Sequence, residues 1–404
     1  MKTLCLFAII LFTANVAHAQ WLACNNGLQG TNIQAIEIRG TNIFAGSNGF
    51  GVFLSTNEGM SWTAMNSGLT DLNVLSLEVS GEKYFAGTRT GGIFLSTDYG
   101  TSWSAVNSGL TTKNVWALAV SGTNIFAATW GGGVFLSTNY GTSWTPVNSG
   151  LTKLKIICLA VNGTTIYAGT SGGGVFRSSD NGTTWSLSGL AGAIVNSVVV
   201  SGSNVYAGTQ EAGGVSVSTD NGITWTAVNS GLTTKWVIDL AVSGNNMFAA
   251  TWGGGVFLST DNGTSWSSVN TGLTELNILR IATSDQTAFS GSNSSGVWGR
   301  PLSEIVTDID DNLHQTPAGF VLKQNYPNPC SETTSIDYIV PTGSHVTLTV
   351  YDIYSRRVAS LVSEYKTAGR HSAAFHAGDL PGGTYIYRLE SAGTSISRTL
   401  TLMK

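Results

Sequence analysis

From residue 20 to about residue 300 the chain alternates short apolar runs with clusters of Gly, Ser, Asn and Asp. One stretch shows the pattern in full. Val115-Val120, Asn124-Ala128, Gly133-Ser137 and Ser143-Asn148 are four strand-like runs, and Ser121-Gly122, Gly131-Gly132 and Asn139-Tyr140-Gly141 separate them as turns. Helical periodicity is missing. The pattern also repeats: Ser55-Trp62, Ser96-Trp103, Ser137-Trp144, Ser178-Trp185, Ser218-Trp225 and Ser259-Trp266 follow one another at spacings of 41, 41, 41, 40 and 41.

A period of this length with four short strands per unit predicts an all-β, seven-bladed β-propeller. The count comes from the ends. Trp21 and Leu28 precede Trp62 and Leu69 by the same 41 residues, so the N-terminal segment matches the last strand of a blade. Near residue 300, Ile278-Thr283, Thr287-Gly291 and Gly296-Arg300 supply three strands with no matching Trp after them. The N-terminal strand is therefore expected to complete the last blade, leaving no exposed sheet edge at the seam. A six-bladed ring with frayed ends is the alternative. After Arg300 the repeat stops. Residues 301–319 are polar and acidic and read as a linker, and residues 320–404 return to alternating strands with Gly/Pro turns, the pattern of a small Ig-like sandwich.

Composition narrows the compartment. Charged residues are 10% of the chain and the net charge is −4, which gives no basis for binding nucleic acid. Residues 1–19 read as a secretory signal: Lys2, the apolar run Leu4 to Val16, and Ala17-His18-Ala19 before Gln20. No later segment is apolar enough for a membrane span, so none is expected in the mature protein. Once the signal is removed, Cys24, Cys158 and Cys330 remain; they suggest neither a disulfide framework nor a zinc site, and no metal or cofactor is expected.

Two resemblances follow from the motifs. The run S-x-D-x-G-x-x-W resembles the Asp box of sialidases and related bacterial-neuraminidase-type repeats. Asp98, Asp180, Asp220 and Asp261, with Asn57 and Asn139 in two repeats, are expected to accept backbone N–H groups within the turn between third and fourth strands. This assigns those carboxylates a structural role. The C-terminal segment, with Gln324-Asn325-Tyr326-Pro327-Asn328-Pro329, Val350-Tyr351-Asp352, Ala368-Gly369-Arg370-His371 and a final Lys404, resembles a type A sorting domain of the type IX (Por) secretion system. It departs from that pattern at Cys330 and Ser355. The resemblance implies export across the outer membrane, the secretion machinery as partner, and an extracellular or surface location.

Blade topology puts the Asp boxes on one face, so a pocket is expected on the other, around the axis. The ligand-binding candidates there are Trp130 and Trp252, each in an Ala-Thr-Trp-Gly-Gly-Gly context, with Trp236, Lys113, Lys235 and Arg89. Glu211, Asp71 and Glu275 fall on the same face. Exposed Trp beside polar groups suits sugar stacking or peptide capture; packing over glycines between blades is the competing reading. Trp116 aligns with Leu75 and Ile238 and is expected in the core. On the innermost strands Asp239 and Arg280 occupy equivalent positions of adjacent blades, where others carry Ala35, Ser76, Ala117, Cys158 and Ser197. They are read as an ion pair or as the polar floor of a pocket. The propeller has no His and no clustered arginines, and its carboxylates outside the Asp boxes, Glu37 and Glu78 among them, form no evident pair. The expectation is a binding propeller for polysaccharide or another extracellular macromolecule, with a glycoside hydrolase resembling sialidases or xyloglucanases as the alternative. A scaffold like the propellers of photosystem assembly shares the repeat but has no supporting residue pattern.

Overall fold

The computed structural model describes residues 20–210, 213–305 and 321–403, except for 324, 326–327, 329, 353–355, 379 and 392–393. The signal segment, most of the linker, Glu211, Ser355 and Lys404 lie outside the described residues.

Residues 20–301 form seven four-stranded antiparallel sheets. Blade 3 is typical: Val115–Ser121, Asn124–Thr129, Gly133–Ser137 and Thr145–Pro146, in that order across the sheet. The innermost strand of each blade packs beside those of both neighbours, and Ile33–Arg39 of blade 1 meets Ile278–Thr283 of blade 7, so the sheets form a closed ring. Blade 7 takes its outer strand from the N-terminus, where Leu22–Ala23 pairs with Val297–Pro301.

The repeat explains the ring's cohesion. The Asp-box Trp of one blade donates its backbone N–H and its indole N–H to the preceding blade: Trp103 to Ser67 O (2.8 Å) and Met65 O (2.8 Å), Trp144 to Ser108 O (2.8 Å) and Val106 O (2.7 Å). Trp21 does the same for blade 7, its indole reaching Val269 O at 2.6 Å. These rings are buried, with 3% of Trp103 and 1% of Trp21 exposed. An Asn-x-Gly-Leu segment after each outer strand adds a clip. Asn66 accepts Val52 N–H at 2.8 Å while its amide donates to Phe50 O at 2.9 Å. Gly68, at φ +80°, sits so close to the Trp103 carbonyl that no Cβ would fit.

One seam breaks the rule. The 40-residue spacing removes the clip Asn from blade 4, whose outer strand Ser186–Gly189 is irregular. Trp225 of blade 5 then turns its indole onto Gly222 of its own turn, 3.2 Å away.

The second unit is described separately. It has a three-stranded sheet (Val321–Leu322, Thr333–Val340, Gly369–His376) and a four-stranded sheet in the order Arg357–Lys366, Ser344–Tyr351, Gly383–Ser391, Thr394–Leu402. Their inner faces share a core of Ile336, Tyr338, Leu348, Val350, Phe375 and Tyr387. Asn325 N–H donates to the Tyr387 hydroxyl, which donates in turn to Lys323 O at 2.7 Å, and Asn328 accepts Thr401 N–H. Burial pushes the Tyr387 phenol up to about 12. Cys330 is buried, so its thiol fills core space.

Candidate functional site

The Asp-box turns account for their own polar groups. Asp98 accepts Ser96 Oγ–H (2.8 Å), Ser102 N–H (2.9 Å) and Ser102 Oγ–H (2.6 Å), and Ser96 Oγ accepts Gly100 N–H. Asp180, Asp220 and Asp261 repeat the arrangement. Hydrogen bonds from the residues four along hold Asp180 and Asp220 down at about 2. The residue before each turn glycine also has positive φ, 57° at Tyr99 and 57° at Asn262. Asn adopts that region readily and Tyr does not, a demand the motif alone does not reveal.

The opposite face is built differently. In every blade the innermost strand carries a register shift just after its first residue, for example between Val115 and Ala117 and between Val195 and Ser197. Such a bulge re-aims the extra residue and is common beside functional sites. Here it brings Trp116 and Asn196 to the wall of an axial cavity of about 210 Å³, with Ser76, Cys158, Ser197, Asp239 and Arg280. Trp116 is accordingly not a core residue. It is part-exposed and stacks on Trp130, with ring centroids 4.9 Å apart and planes inclined at 24°. In blade 6, Trp236 and Trp252 form a second pair, 5.7 Å apart at 33°, reached without a bulge residue because Trp236 precedes its strand. Blades 3 and 6 lie nearly opposite one another in a ring of seven.

Both loop tryptophans are held by backbone. Trp130 N–H donates to Asn114 O and Trp252 N–H to Trp236 O, each at 2.9 Å. Lys113 and Lys235 are exposed and sit just before the innermost strands of their blades, close in sequence to the two pairs; Arg89 is exposed in blade 2 at the position equivalent to Trp130. Lys155, which the sequence pattern did not single out, places its ammonium 5.0 Å from the centre of the Trp130 ring.

Asp239 and Arg280 share the cavity but make no direct ion pair. The Asp239 carboxylate accepts Ser197 Oγ–H (3.0 Å), Leu240 N–H (3.0 Å) and Ile281 N–H (3.1 Å), while Arg280 donates to Leu279 O at 2.6 Å. Burial raises the Asp239 carboxyl, and the Arg280 charge and these hydrogen bonds oppose the rise without cancelling it. Cys158 is pushed up to about 12 by burial, so its thiol stays protonated.

Among the described residues, the loop carboxylates Asp71 and Glu275 of this face are committed to turns. Asp71 accepts Thr90 N–H (2.7 Å), Thr90 Oγ–H, Gly91 N–H and both Asn73 donors. Burial would raise it, but the Asn73 and Thr90 donors prevail and hold it well below the carboxylate range. Glu275 likewise accepts Ser294 N–H and Oγ–H at 2.8 Å. A different carboxyl pair does exist. Glu37 and Glu78 stand at equivalent positions of adjacent innermost strands and share Arg39, at 3.1 and 3.8 Å. Burial raises Glu37 to about 7 and, with the Glu37 charge, raises Glu78 to about 8. The equivalence of the two positions was the available signal, since the residues lie 41 apart.

Comparison with known proteins agrees with this architecture. Residues 125–235 match the family described as DUF6242 beta propeller domain, and residues 324–403 match the secretion system C-terminal sorting domain. The chain is thus a β-propeller joined to a type IX sorting domain, which directs it to the cell surface or the extracellular space. Among solved structures it is similar to YCF48 bound to D1 peptide, with TM-score 0.60 and 16% identity over 70% of this chain and 97% of that one. It is also similar to an ancestral GH74 enzyme (TM-score 0.55, 17% identity, 96% of this chain, 64% of that). The Niastella koreensis GH74 enzyme matches with TM-score 0.51 and 20% identity, over 67% of this chain and 43% of that one. At these identities the likeness is one of fold. A search of curated protein sequences returns no match. Among the described residues, no helix is long and apolar enough to cross a membrane.

Proposed function

We propose that the propeller is a binding module acting outside the cell, and that it takes polysaccharide on the face opposite the Asp boxes. The observation that carries this reading is the Trp116–Trp130 stack, whose Trp116 lines the axial cavity, with the Trp236–Trp252 pair across the ring. Two part-exposed aromatic platforms on a rigid ring can stack sugar rings at separate points along one chain. The test is a glycan array with wild type and a Trp130→Ala/Trp252→Ala variant. Binding that the variant loses supports the reading; no glycan bound, or unchanged binding in the variant, overturns it. Peptide capture is the competing use of the same aromatic groups, as one structural neighbour carries a peptide.

A hydrolase reading draws on the Glu37–Glu78 pair, because a carboxyl raised to about 7 or 8 suits a general acid. Both groups, however, are engaged by Arg39. Release of reducing sugar that disappears in Glu37→Gln would favour hydrolysis over binding alone.

A further inference from the structure

The two faces of the propeller carry different exposed charges. On the Asp-box side both signs occur: the box carboxylates with Glu58, Glu82 and Asp285, and the cations Arg39 and Lys83. On the other side, among the described residues, the exposed charges are Arg89, Lys113, Lys153, Lys155 and Lys235, while Asp71 and Glu275 are tied into turns. The cations are unevenly spread. Lys113 precedes the Trp116–Trp130 stack in sequence, and Lys153 and Lys155 follow it in the segment leading into blade 4.

The two lysines on the blade 4 side replace residues with structural tasks elsewhere. Where blade 4 has Lys153, blades 2 and 7 carry Asp71 and Glu275, whose carboxylates accept the N–H groups of the neighbouring turn. An ammonium has no acceptor and cannot do this. The Lys153 stem instead lies over Gly173, and the residue is exposed. Lys155 stands where blades 2, 3 and 7 carry Asn73, Asn114 and Asn277. Its backbone bridges to Trp130, which fixes the stem beside the indole, and its ammonium lies over the ring. The blade 6 platform differs: the segment following it is Glu275-Leu276-Asn277, with no cation.

We propose that the blade 3 platform reads an acidic sugar, with the pyranose ring against the Trp116–Trp130 stack and its carboxylate met by Lys155 and Lys153, while the blade 6 platform takes a neutral residue of the same polymer. The ligand class is then an acidic polysaccharide containing uronate units. This rests on the polysaccharide reading above and adds the charge requirement. A stacked ring with the Lys155 ammonium over it and the exposed Lys153 in the same segment recognise together what neither does alone: stacking accepts any sugar, and the cations select the carboxylate.

The test uses the full chain and two polymers of one backbone, polygalacturonate and its fully methyl-esterified form, at low and physiological salt. Wild type binds the acid form more tightly than the ester, and the preference shrinks as salt screens the lysines. In Lys153→Gln/Lys155→Gln the acid form weakens by about three- to tenfold while the ester is unchanged, the size expected for two exposed charge contacts. Equal binding of the two polymers, or a preference that survives in the variant, overturns the charge readout and leaves the polysaccharide reading standing. Binding of neutral glycans alone overturns it in the same way. Binding of an acidic peptide such as polyglutamate, lost in the variant, with no uronate polymer bound, overturns it in favour of a peptide ligand. Absence of binding to any glycan removes both readings together.

Discussion

The two faces of the ring come from one repeat, yet they use its residues in opposite ways. On the Asp-box face the repeats agree, and agreement goes with closure: each Asp98-type carboxylate, each Ser96-type hydroxyl and each indole N–H finds its partner within the turn or in the preceding blade. On the other face the repeats disagree. One loop position holds Asn48, Arg89, Trp130, Ser171, Gln210, Trp252 and Asn293 in turn, although the backbone bond it makes is the same in every blade. The backbone carries the fold there, which leaves the side chain free to vary. In a repeat protein, the most regular residues are therefore poor guides to a ligand, and the irregular ones on a constant backbone are better.

The comparison breaks most readily on the structural face. Trp103→Ala should cost about 3–5 kcal/mol in urea unfolding, since it removes a buried indole and its cross-blade bond. Trp225→Ala should cost less, because that ring is part-exposed and bonds only its own turn. Equal losses would mean that the cross-blade bond contributes little. Ser96→Ala should cost about 1–3 kcal/mol by leaving the buried Gly100 N–H without its acceptor. Asp98→Asn, by contrast, should leave the melting temperature nearly unchanged, since Asn57 and Asn139 accept the same N–H group in their own boxes.

A third prediction concerns pH. Glu37 and Glu78 are raised above 4.5, so the folded protein holds their protons more tightly than the unfolded chain does. Their contribution to stability is full below about pH 4.5 and declines as pH rises through 7 to 8. Glu78→Gln should flatten that part of the stability profile; an unchanged slope would place the sensitivity elsewhere. Asp180 and Asp220 act with the opposite sign: their contribution is present above 3.8 and is lost as pH falls through about 2.

On the other face, removing a large side chain should cost far less than it does at Trp103. Trp130→Ala should cost under about 1.5 kcal/mol, the scale of an aromatic pair, because the Trp130 ring is not in the core and its backbone bond to Asn114 survives the change.

Much of the fold was legible because a propeller repeats its strands, turns and buried Trp at a fixed period, and the Asp-box role follows from turn chemistry. The site was legible only in part. Trp130, Trp236 and Trp252 stand out as departures from the repeat, and the structure pairs Trp236 with Trp252. Trp116 was misplaced because alignment with Leu75 and Ile238 assigns a strand position without revealing the bulge that turns it to the channel. Lys153 and Lys155 went unnoticed because a lysine in a loop carries no pattern; only the ring beneath Lys155 gives it meaning. Asp239 and Arg280 were correctly aligned, but the geometry satisfies the carboxylate with Ser197 Oγ–H and the N–H groups of Leu240 and Ile281 before the guanidinium is needed.

The claim that the ligand meets the face opposite the Asp boxes is tested most directly by the affinity for one array-selected glycan of two variants with exposed aromatic groups removed. Trp130→Ala/Trp252→Ala alters the proposed face, and Tyr99→Ala alters the Asp-box face, where half of that side chain is exposed. The account predicts that the first variant loses binding while the second binds as wild type does. Retained binding in the first with loss in the second would place the ligand on the Asp-box face and contradict it.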